Sequence, residues 1–207
     1  MKLVKMTLDD LRSPLGDSPH KRIARLGVGP ANYWLTFISD PLTVVFFIFW
    51  ELVILRSRPW MVLLTFATGL ASWTFIEYAF HRWVYHKGRT AAHAGHLVHH
   101  ESPETLIAMP WFVVTAAFGG LWYLTTQLAQ VHHVLSILAG ILLGFVIYGL
   151  FHHVLHRFDF QSRWYRRLRA HHTIHHRFPN VNFGVTSRFW DQMLRTTHLN
   201  RSRRAVH

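Results

Sequence analysis

The sequence predicts an all-α integral membrane fold with four transmembrane helices arranged in two hairpins. Half of the 207 residues are hydrophobic and 15% are aromatic, which is a rich apolar content for a water-soluble protein. Four apolar runs reach the roughly 18 residues that a helix needs to cross a bilayer. Lysine and arginine flank these runs, which is the membrane pattern, so we expect no nucleic-acid partner despite a formal net charge of +12.

The four predicted spans follow one another in two pairs. The first contains Asp40 and Glu51, the second carries a single charged residue, Glu77, near its end, and the last two carry none. A helix of about 20 residues rises about 30 Å, so runs of this length can cross the hydrocarbon layer. The spans are Tyr33–Leu55, Pro59–Phe80, Met109–Ala129 and Val134–Phe151.

The distribution of basic residues predicts the orientation in the membrane. Twenty of the 22 lysines and arginines lie in residues 1–30, in the segment 81–108 and from residue 157 onward, whereas only Arg56 and Arg58 lie on the other side. Because lysine and arginine accumulate on the cytoplasmic side, we expect both termini and the middle segment to be cytoplasmic, in a bacterial inner membrane or the endoplasmic reticulum. Residues 1–30 then form a basic cytosolic or interfacial leader. Residues 31–207 form one membrane domain with cytosolic segments 81–108 and 152–207.

Histidines carry the chemical signal of the sequence. There are 18 of them and no cysteine, so a metal site must use nitrogen and oxygen ligands. Two segments, 96–100 and 172–176, share the spacing His-x-x-His-His. Residues at i, i+3 and i+4 of a helix share one face, so each segment can aim three imidazoles at one point. With the histidine pairs that precede each segment, the ten candidate metal ligands are His81, His86, His96, His99, His100, His152, His156, His172, His175 and His176.

Ten imidazoles are too many for one ion, which favours two metals. His152 and His156 are four residues apart and share a helical face with Tyr148. His81 and His86 are five apart and diverge by about 140° in an unbroken α-helix, so either the helix ends there or the two serve different metals. The predicted topology places all ten residues on the cytoplasmic side. The residues therefore predict a histidine site for two metals where two separate stretches of chain meet beneath the membrane.

Chemistry narrows the choice of metal. Imidazole suits iron, copper and zinc. The sequence lacks the His-Glu-x-x-His helix of hydrolytic zinc sites and the Glu-x-x-His pairs of carboxylate di-iron bundles. A site at the mouth of an apolar bundle would receive lipid, and oxidation of an unactivated C–H bond requires a redox metal and dioxygen. A nitrogen-rich di-iron site fits these conditions best.

The order of the histidines resembles that of the fatty acid hydroxylase and sterol desaturase superfamily. The resemblance rests on His-Arg-Trp-Val-Tyr-His at 81–86, the two His-x-x-His-His segments, the pair at 152 and 156, and Asn-Phe-Gly-Val-Thr-Ser-Arg-Phe-Trp-Asp at 182–191. It covers residues 77 to 197. Two of these motifs are most similar to the fatty acid 2-hydroxylase branch, namely the histidine motif at 81–86 and the segment 168–176, which includes the second His-x-x-His-His segment.

This resemblance implies a membrane oxygenase with four spans under a cytosolic helical cap that holds two iron ions by its histidines. Because imidazole also suits zinc, zinc can occupy the same nitrogens in purified protein. It implies hydroxylation of a membrane lipid or fatty-acyl chain, fatty acid 2-hydroxylation in the first place, with dioxygen as co-substrate. Some members carry a fused cytochrome b5 domain, for which residues 1–30 are too short, so we expect a separate ferredoxin or cytochrome b5-like electron donor. Two alternatives stay open, a sterol or carotenoid hydroxylase or desaturase, and a non-catalytic membrane metal-binding or haem protein.

Two residues outside the histidine boxes are candidate partners of the site. Glu77 lies one turn before His81, so its carboxylate either accepts the second ring proton of that histidine or extends to the membrane surface. Tyr148 either steers substrate or oxygen or packs within the bundle.

The remaining histidines near the boxes are not expected to be ligands. His93 is displaced by one position from a further histidine of the family pattern. His153 and His171 are next to His152 and His172, which match the family pattern, and they are expected to support the site or the fold. His132 and His133 fall in the turn on the opposite side of the membrane, outside the site.

Overall fold

The computed structural model describes residues 5–13 and 18–199 and confirms the predicted all-α class for them. The only extended pairing in this part of the chain is an isolated antiparallel bridge between Val28 and Ile107. Residues 1–4 and 14–17 of the predicted leader, and the end of the basic tail, lie outside the described residues. The helices are α1 (Leu8–Arg12), α2 (Pro19–Leu26), α3 (Pro30–Phe49), α4 (Pro59–Ala79), α5 (Ala91–Glu101), α6 (Trp111–Trp122), α7 (Val134–Arg157), α8 (Arg163–Arg177) and α9 (Phe189–Met193).

Three of these helices continue as π-helical turns, in which hydrogen bonds join residues i and i+5. The turns are Trp50–Ile54 after α3, Phe80–Tyr85 after α4 and Tyr123–Leu128 after α6. The second of them carries part of the predicted metal site.

Three helical segments are long and apolar enough to cross a membrane, namely Pro30–Ile54, Pro59–Tyr85 and Val134–Arg157. They match the first, second and fourth predicted spans. Large apolar side chains on them are exposed, with Leu42 at 62% and Leu63 at 68%, as expected for surfaces that face lipid. These features are those of an integral membrane protein. The third predicted span falls on α6 and its π turn, which are shorter and include polar residues such as Gln127.

The chain forms two compact units. The span unit contains Leu26–Trp73 and Leu106–Val146, and the histidine unit contains Thr74–Thr105 together with the described residues of Met1–Arg25 and Ile147–His207. Two of the four boundaries fall within α4 and within α7. All ten predicted ligands therefore belong to the histidine unit.

Glycines allow α4 and α7 to pack closely within the span unit. A Cβ atom on Gly69 of α4 would lie 2.1 Å from the carbonyl oxygen of Ile137, and a Cβ on Gly140 of α7 would lie 2.1 Å from that of Phe66. Only glycine permits such an approach of two backbones. This contact brings together the two helices that continue to His81 and to His152.

In the histidine unit, polar caps define where α5 and α8 begin. Thr90 accepts a hydrogen bond from the His93 amide at 3.1 Å, and Ser162 accepts one from the Tyr165 amide at 3.3 Å. The Tyr165 hydroxyl also donates to the Phe158 carbonyl, 2.6 Å away, which ties α8 to the end of α7. These contacts set the start of both helices that carry the His-x-x-His-His segments.

Candidate metal centre

A π-helical turn brings His81 and His86 together. Their rings stack with centroids 5.2 Å apart and planes inclined by 21°. The regular α-helix ends at Ala79, as one predicted alternative requires, but the chain continues through Phe80–Tyr85 as a π turn. Because a π-helix joins residues i and i+5, it places residues five apart on the same face. His81 and His86 thus face the same point and belong to one cluster. This geometry contradicts the other alternative, in which the two histidines serve different metals.

The ten predicted histidines gather into two clusters of five. Within each cluster, one ring nitrogen from every member lies within 4.8 Å of the others. Each cluster takes four histidines from one half of the chain and a fifth from the other half, so the segments 81–100 and 152–176 interlock. The His81 cluster contains His81, His86, His96, His100 and His175. The His152 cluster contains His99, His152, His156, His172 and His176.

Each His-x-x-His-His segment contributes to both clusters. The first and last histidines of a segment share one cluster, whereas the middle ones, His99 and His175, join the other cluster. The prediction that each segment aims three imidazoles at one point is thus wrong. On an α-helix, residues i+3 and i+4 are separated by about 100° and lie on opposite sides of residue i, so their side chains can reach two different centres.

The Nε2 atoms of the His81 cluster converge on a common point. The Nε2 of His96 lies 3.2 Å from that of His81 and 3.0 Å from those of His86 and His100. The Nε2 atoms of His86 and His175 are also 3.0 Å apart. One ring nitrogen has either one proton or one lone pair, so hydrogen bonds alone cannot satisfy these contacts. Two nitrogens bound at about 2.1 Å and at right angles to one ion are about 3.0 Å apart, so the cluster fits a metal ion.

The His152 cluster has a similar spacing. The Nε2 of His172 lies 2.9 Å from that of His156 and 3.2 Å from that of His176, which is 3.2 Å from the Nε2 of His99. The His152 ring centroid lies 4.4 Å from that of His99. The Nε2 of His152 is buried and has no hydrogen-bond partner among the described residues. This set of nitrogens also fits a metal ion.

Burial keeps these imidazoles neutral. Burial first, and then repulsion between neighbouring rings, lowers the pKa of the cluster histidines that lie outside the membrane-capable helices. A neutral imidazole presents the lone pair that a metal ion needs, so all of these groups are ready to act as ligands near pH 7. The pKa falls to about 3 for His86 and His100 and about 2 for His176, and well below its ordinary value for His96, His99, His172 and His175.

Backbone carbonyls accept hydrogen bonds from two histidines of the His81 cluster, at the ring nitrogen that does not face the cluster. The Nδ1 of His81 donates to the Phe183 carbonyl at 2.5 Å, and the Nδ1 of His175 donates to the Val181 carbonyl at 2.8 Å. A carbonyl oxygen can only accept, so the proton of each neutral ring is on Nδ1. The Nε2 lone pair of each ring therefore faces the cluster.

Glu77 neither bonds His81 nor extends to the surface, so both predictions for it are wrong. Its side chain is buried, and Oε1 accepts hydrogen bonds from the amides of Val185 and Thr186 at 2.7 and 2.9 Å. The amides lie in the chain segment whose carbonyls hold His81 and His175. Tyr148 is buried with its ring stacked on that of His152, 5.7 Å between centroids.

The other histidines of the sequence analysis do not enter the clusters of the described chain. His171 instead donates through Nε2 to Asp191, a fully buried carboxylate, at 2.9 Å. Sequence reasoning did not assign a role to Asp191. Its only signal was its position at the end of the 182–191 segment, which carried the family resemblance. Those five histidines are His93, His132, His133, His153 and His171.

Comparison with known proteins identifies relatives of this chain. The model of the fatty acid hydroxylase family matches residues 66–196, which include all ten cluster histidines. A dihydroceramide fatty acyl 2-hydroxylase of Arabidopsis thaliana is 31% identical over 139 residues, which are 63% of this chain and 59% of the relative. The fatty acid 2-hydroxylase of Rattus norvegicus is 31% identical over 145 residues, which are 63% of this chain and 38% of the relative.

A solved structure has the same fold. The chain superposes on full-length scs7p, of which the hydroxylase domain is visible, with a TM-score of 0.66 and 23% identity, over 84% of this chain and 68% of the other. The chain spans about 60% or less of the length of the two curated relatives described above. The family resemblance predicted from the histidine spacing is confirmed by the family match. This chain belongs to the fatty acid hydroxylase family.

Proposed function

We propose that this chain hydroxylates the fatty-acyl chain of a membrane lipid, at the carbon next to the acyl carbonyl. The observation that carries the proposal is the pair of five-histidine clusters within the region that matches the fatty acid hydroxylase family. The names of the relatives, which include dihydroceramide fatty acyl 2-hydroxylase and fatty acid 2-hydroxylase, support an acyl substrate and the 2-position.

The ten cluster histidines hold two iron ions in the working enzyme, five histidines to each ion. Imidazole nitrogen suits iron, and zinc can take the same nitrogens in purified material. When bound, the metals supply the redox chemistry that lets dioxygen, two electrons and two protons convert a C–H bond into C–OH with release of one water. The residues of the chain keep the imidazoles neutral, orient the rings of His81 and His175 and exclude water by burial.

The electrons come from a separate donor, a ferredoxin or a cytochrome b5-like protein. The basic asymmetry of the sequence supports four spans with both termini and the histidine clusters on the cytoplasmic side, in which α6 and its π turn supply the third span. In this arrangement residues 1–30 lie along the membrane surface, and residues 31–207 form the catalytic domain. A cytoplasmic site is accessible to a soluble donor and to lipid that enters from the bilayer.

Lipid mass spectrometry tests this function. A host that expresses the wild type should accumulate 2-hydroxylated acyl chains, and His175→Ala should reduce them to the background of the empty host while the protein stays in the membrane. His175 is a central member of the His81 cluster, with its Nε2 3.0 Å from that of His86.

His132→Ala is the matched control, because His132 belongs to neither cluster, and it should keep near-normal product. Hydroxylated acyl product that persists with His175→Ala, or disappears equally with His132→Ala, would contradict the proposal. A hydroxylated or desaturated sterol or carotenoid in place of the acyl product would overturn the proposed substrate.

A further inference from the structure

The segment between α8 and α9 supports only some of the cluster histidines. The Val181 carbonyl accepts from Nδ1 of His175, and the Phe183 carbonyl accepts from Nδ1 of His81. Both histidines belong to the His81 cluster, although they lie in different halves of the chain. One short segment therefore sets the proton position of two rings around the same point.

Asp191 holds this segment from one side. Its Oδ1 accepts from the Phe183 amide at 2.9 Å, and its Oδ2 accepts from the Gly184 amide at 2.7 Å. The same carboxylate accepts from Nε2 of His171 at 2.9 Å and from the Thr196 hydroxyl at 2.6 Å. The carboxylate is fully buried and accepts four hydrogen bonds, so the position of the Phe183 carbonyl is closely defined.

Glu77 holds the segment from the other side. Its carboxylate accepts from the amides of Val185 and Thr186 and from the Thr186 hydroxyl. Glu77 lies near the end of α4, four residues before His81 in the π turn that continues this helix, so the anchor of the segment and one histidine that it orients are close together in the chain. The segment is also closely packed, because a Cβ on Gly184 would lie 1.9 Å from the Ser187 carbonyl oxygen.

The His152 cluster lacks comparable support. Within the described residues, Nδ1 of His172 and Nδ1 of His176 are buried and have no hydrogen-bond partner, as is also true of Nδ1 of His86 and His100 in the His81 cluster. The difference lies in the two rings of the His81 cluster whose Nδ1 donates to a backbone carbonyl, because no histidine of the His152 cluster has such a contact in the described structure. The two clusters thus have equal numbers of imidazoles but differ in how firmly those imidazoles are held.

We propose that Val181–Thr186, held by Asp191 and Glu77, is a brace that makes the His81 cluster the tighter of two unequal metal positions. The inference rests on the proposed metal function of the clusters. A ring that is already in the correct tautomer and orientation loses less freedom when it binds an ion. Loss of an outer hydrogen-bond partner typically weakens metal binding by about 10- to 100-fold. Asp191 and Glu77 are therefore positioning residues, which act on the metal through the brace.

Zinc titration of the purified, metal-stripped full chain against a competing chelator tests the inequality. The wild type should bind two equivalents in two steps that differ by about 10-fold or more. His100→Ala should remove the tighter step, and His176→Ala should remove the weaker one. These variants are matched, because each residue ends a His-x-x-His-His segment and has a buried, unpartnered Nδ1 in the described structure. Two equivalents of equal affinity, or loss of the tighter step with His176→Ala, would overturn the inference.

Asp191→Asn tests the brace itself. Whichever way the asparagine amide faces, its NH2 group meets the amide N–H of Phe183 or of Gly184, so the brace loses one acceptor. The tighter step should weaken about 10- to 100-fold while the weaker step stays unchanged. A residue with a merely structural role would weaken both steps together, and that result would overturn the brace.

Glu51→Gln is the matched control for Asp191→Asn. Glu51 is a fully buried carboxylate of the span unit that accepts from the Leu135 amide at 3.2 Å and from the Ser57 hydroxyl at 2.8 Å. The Glu51→Gln variant should leave both zinc-binding steps unchanged. If this variant selectively lost the tighter step, the conclusion that Asp191 acts through the brace would be overturned. If the wild type bound no zinc, the proposed metal function itself would be contradicted, whereas two equal steps would contradict only the brace.

Discussion

At the scale of single residues, the clusters depend on imidazoles that stay neutral. A charged imidazolium is poorly solvated when buried, and a second positive ring a few ångströms away repels it. Both effects lower the pKa of His86 and His100 to about 3 and that of His176 to about 2. In the unfolded chain the same histidines titrate near their ordinary value of about 6.5. The folded state therefore binds fewer protons than the unfolded state in acid.

This difference predicts acid-labile stability for the metal-free protein. A histidine whose pKa is lowered on folding contributes stability that is complete above about pH 6.5 and is lost as the pH falls towards the folded pKa. Each such residue changes the free energy of unfolding by about 1.4 kcal/mol per pH unit below pH 6.5. Thermal unfolding of the metal-stripped protein in detergent should therefore move to lower temperature between pH 7 and pH 5.

A variant tests the slope with which the free energy of unfolding changes with pH. His176→Gln removes one titrating group, so the slope should decrease by about 1.4 kcal/mol per pH unit. An unfolding temperature that is the same at pH 5 and pH 7 would show that the folded clusters accept protons as readily as the unfolded chain.

At the scale of elements, the π turn after α4 determines which histidines can meet. Ala79 is the last regular α-helical residue, and Phe80–Tyr85 turns more slowly around the helix axis, so His81 and His86 point the same way. π-helical turns are rare and often occur at functional sites. Here His81 within the turn and His86 directly after it supply two of the five nitrogens of one cluster.

Insertion of one alanine after Trp83 tests the role of the π turn. The insertion separates the two histidines by six residues, which neither α-helical nor π-helical geometry places on one face. The His81 cluster should then lose a nitrogen, and the metal content of the purified protein should fall towards one ion per chain. Two ions bound as tightly as in the wild type would contradict this role.

An alanine inserted after Phe160 is the control for this experiment. Residues 158–162 form the exposed connection between α7 and α8, and Phe160 is 52% exposed. A loop absorbs one more residue without turning the helices on either side. This variant should retain both ions.

The sequence allowed the ten clustered histidines to be predicted, but not their division between the two clusters. The spacing of histidines identified the ten residues that the fold brings together, because i, i+4 pairs stay on one helical face. His99 and His175 each join the cluster that is formed mainly by the other half of the chain. This placement depends on contacts between helices that are far apart in the sequence. The partners of Glu77 lie more than 100 residues away, so the local pattern suggested the nearer His81 instead. The π turn has no sequence signature, so the sequence could not predict that His81 and His86 share one face of a continuing helix.

At the scale of the whole molecule, the two halves of the chain complete each other. Residues 81–100 supply four nitrogens to the His81 cluster and one to the His152 cluster, and residues 152–176 supply the reverse. Ions at both points would cross-link the two halves twice, and metal binding would then contribute free energy to folding. Two of the membrane-capable segments carry cluster histidines, namely Pro59–Tyr85 with His81 and Val134–Arg157 with His152 and His156.

The number of metal ions per chain tests the central claim most directly. Elemental analysis of folded, purified wild-type protein should give two ions per chain, iron when the host supplies it and zinc in part when it does not. Two ions are predicted because two separate clusters each offer five converging nitrogens. A value of one ion per chain, or of none, in protein that elutes as a single folded species would contradict the dimetal account.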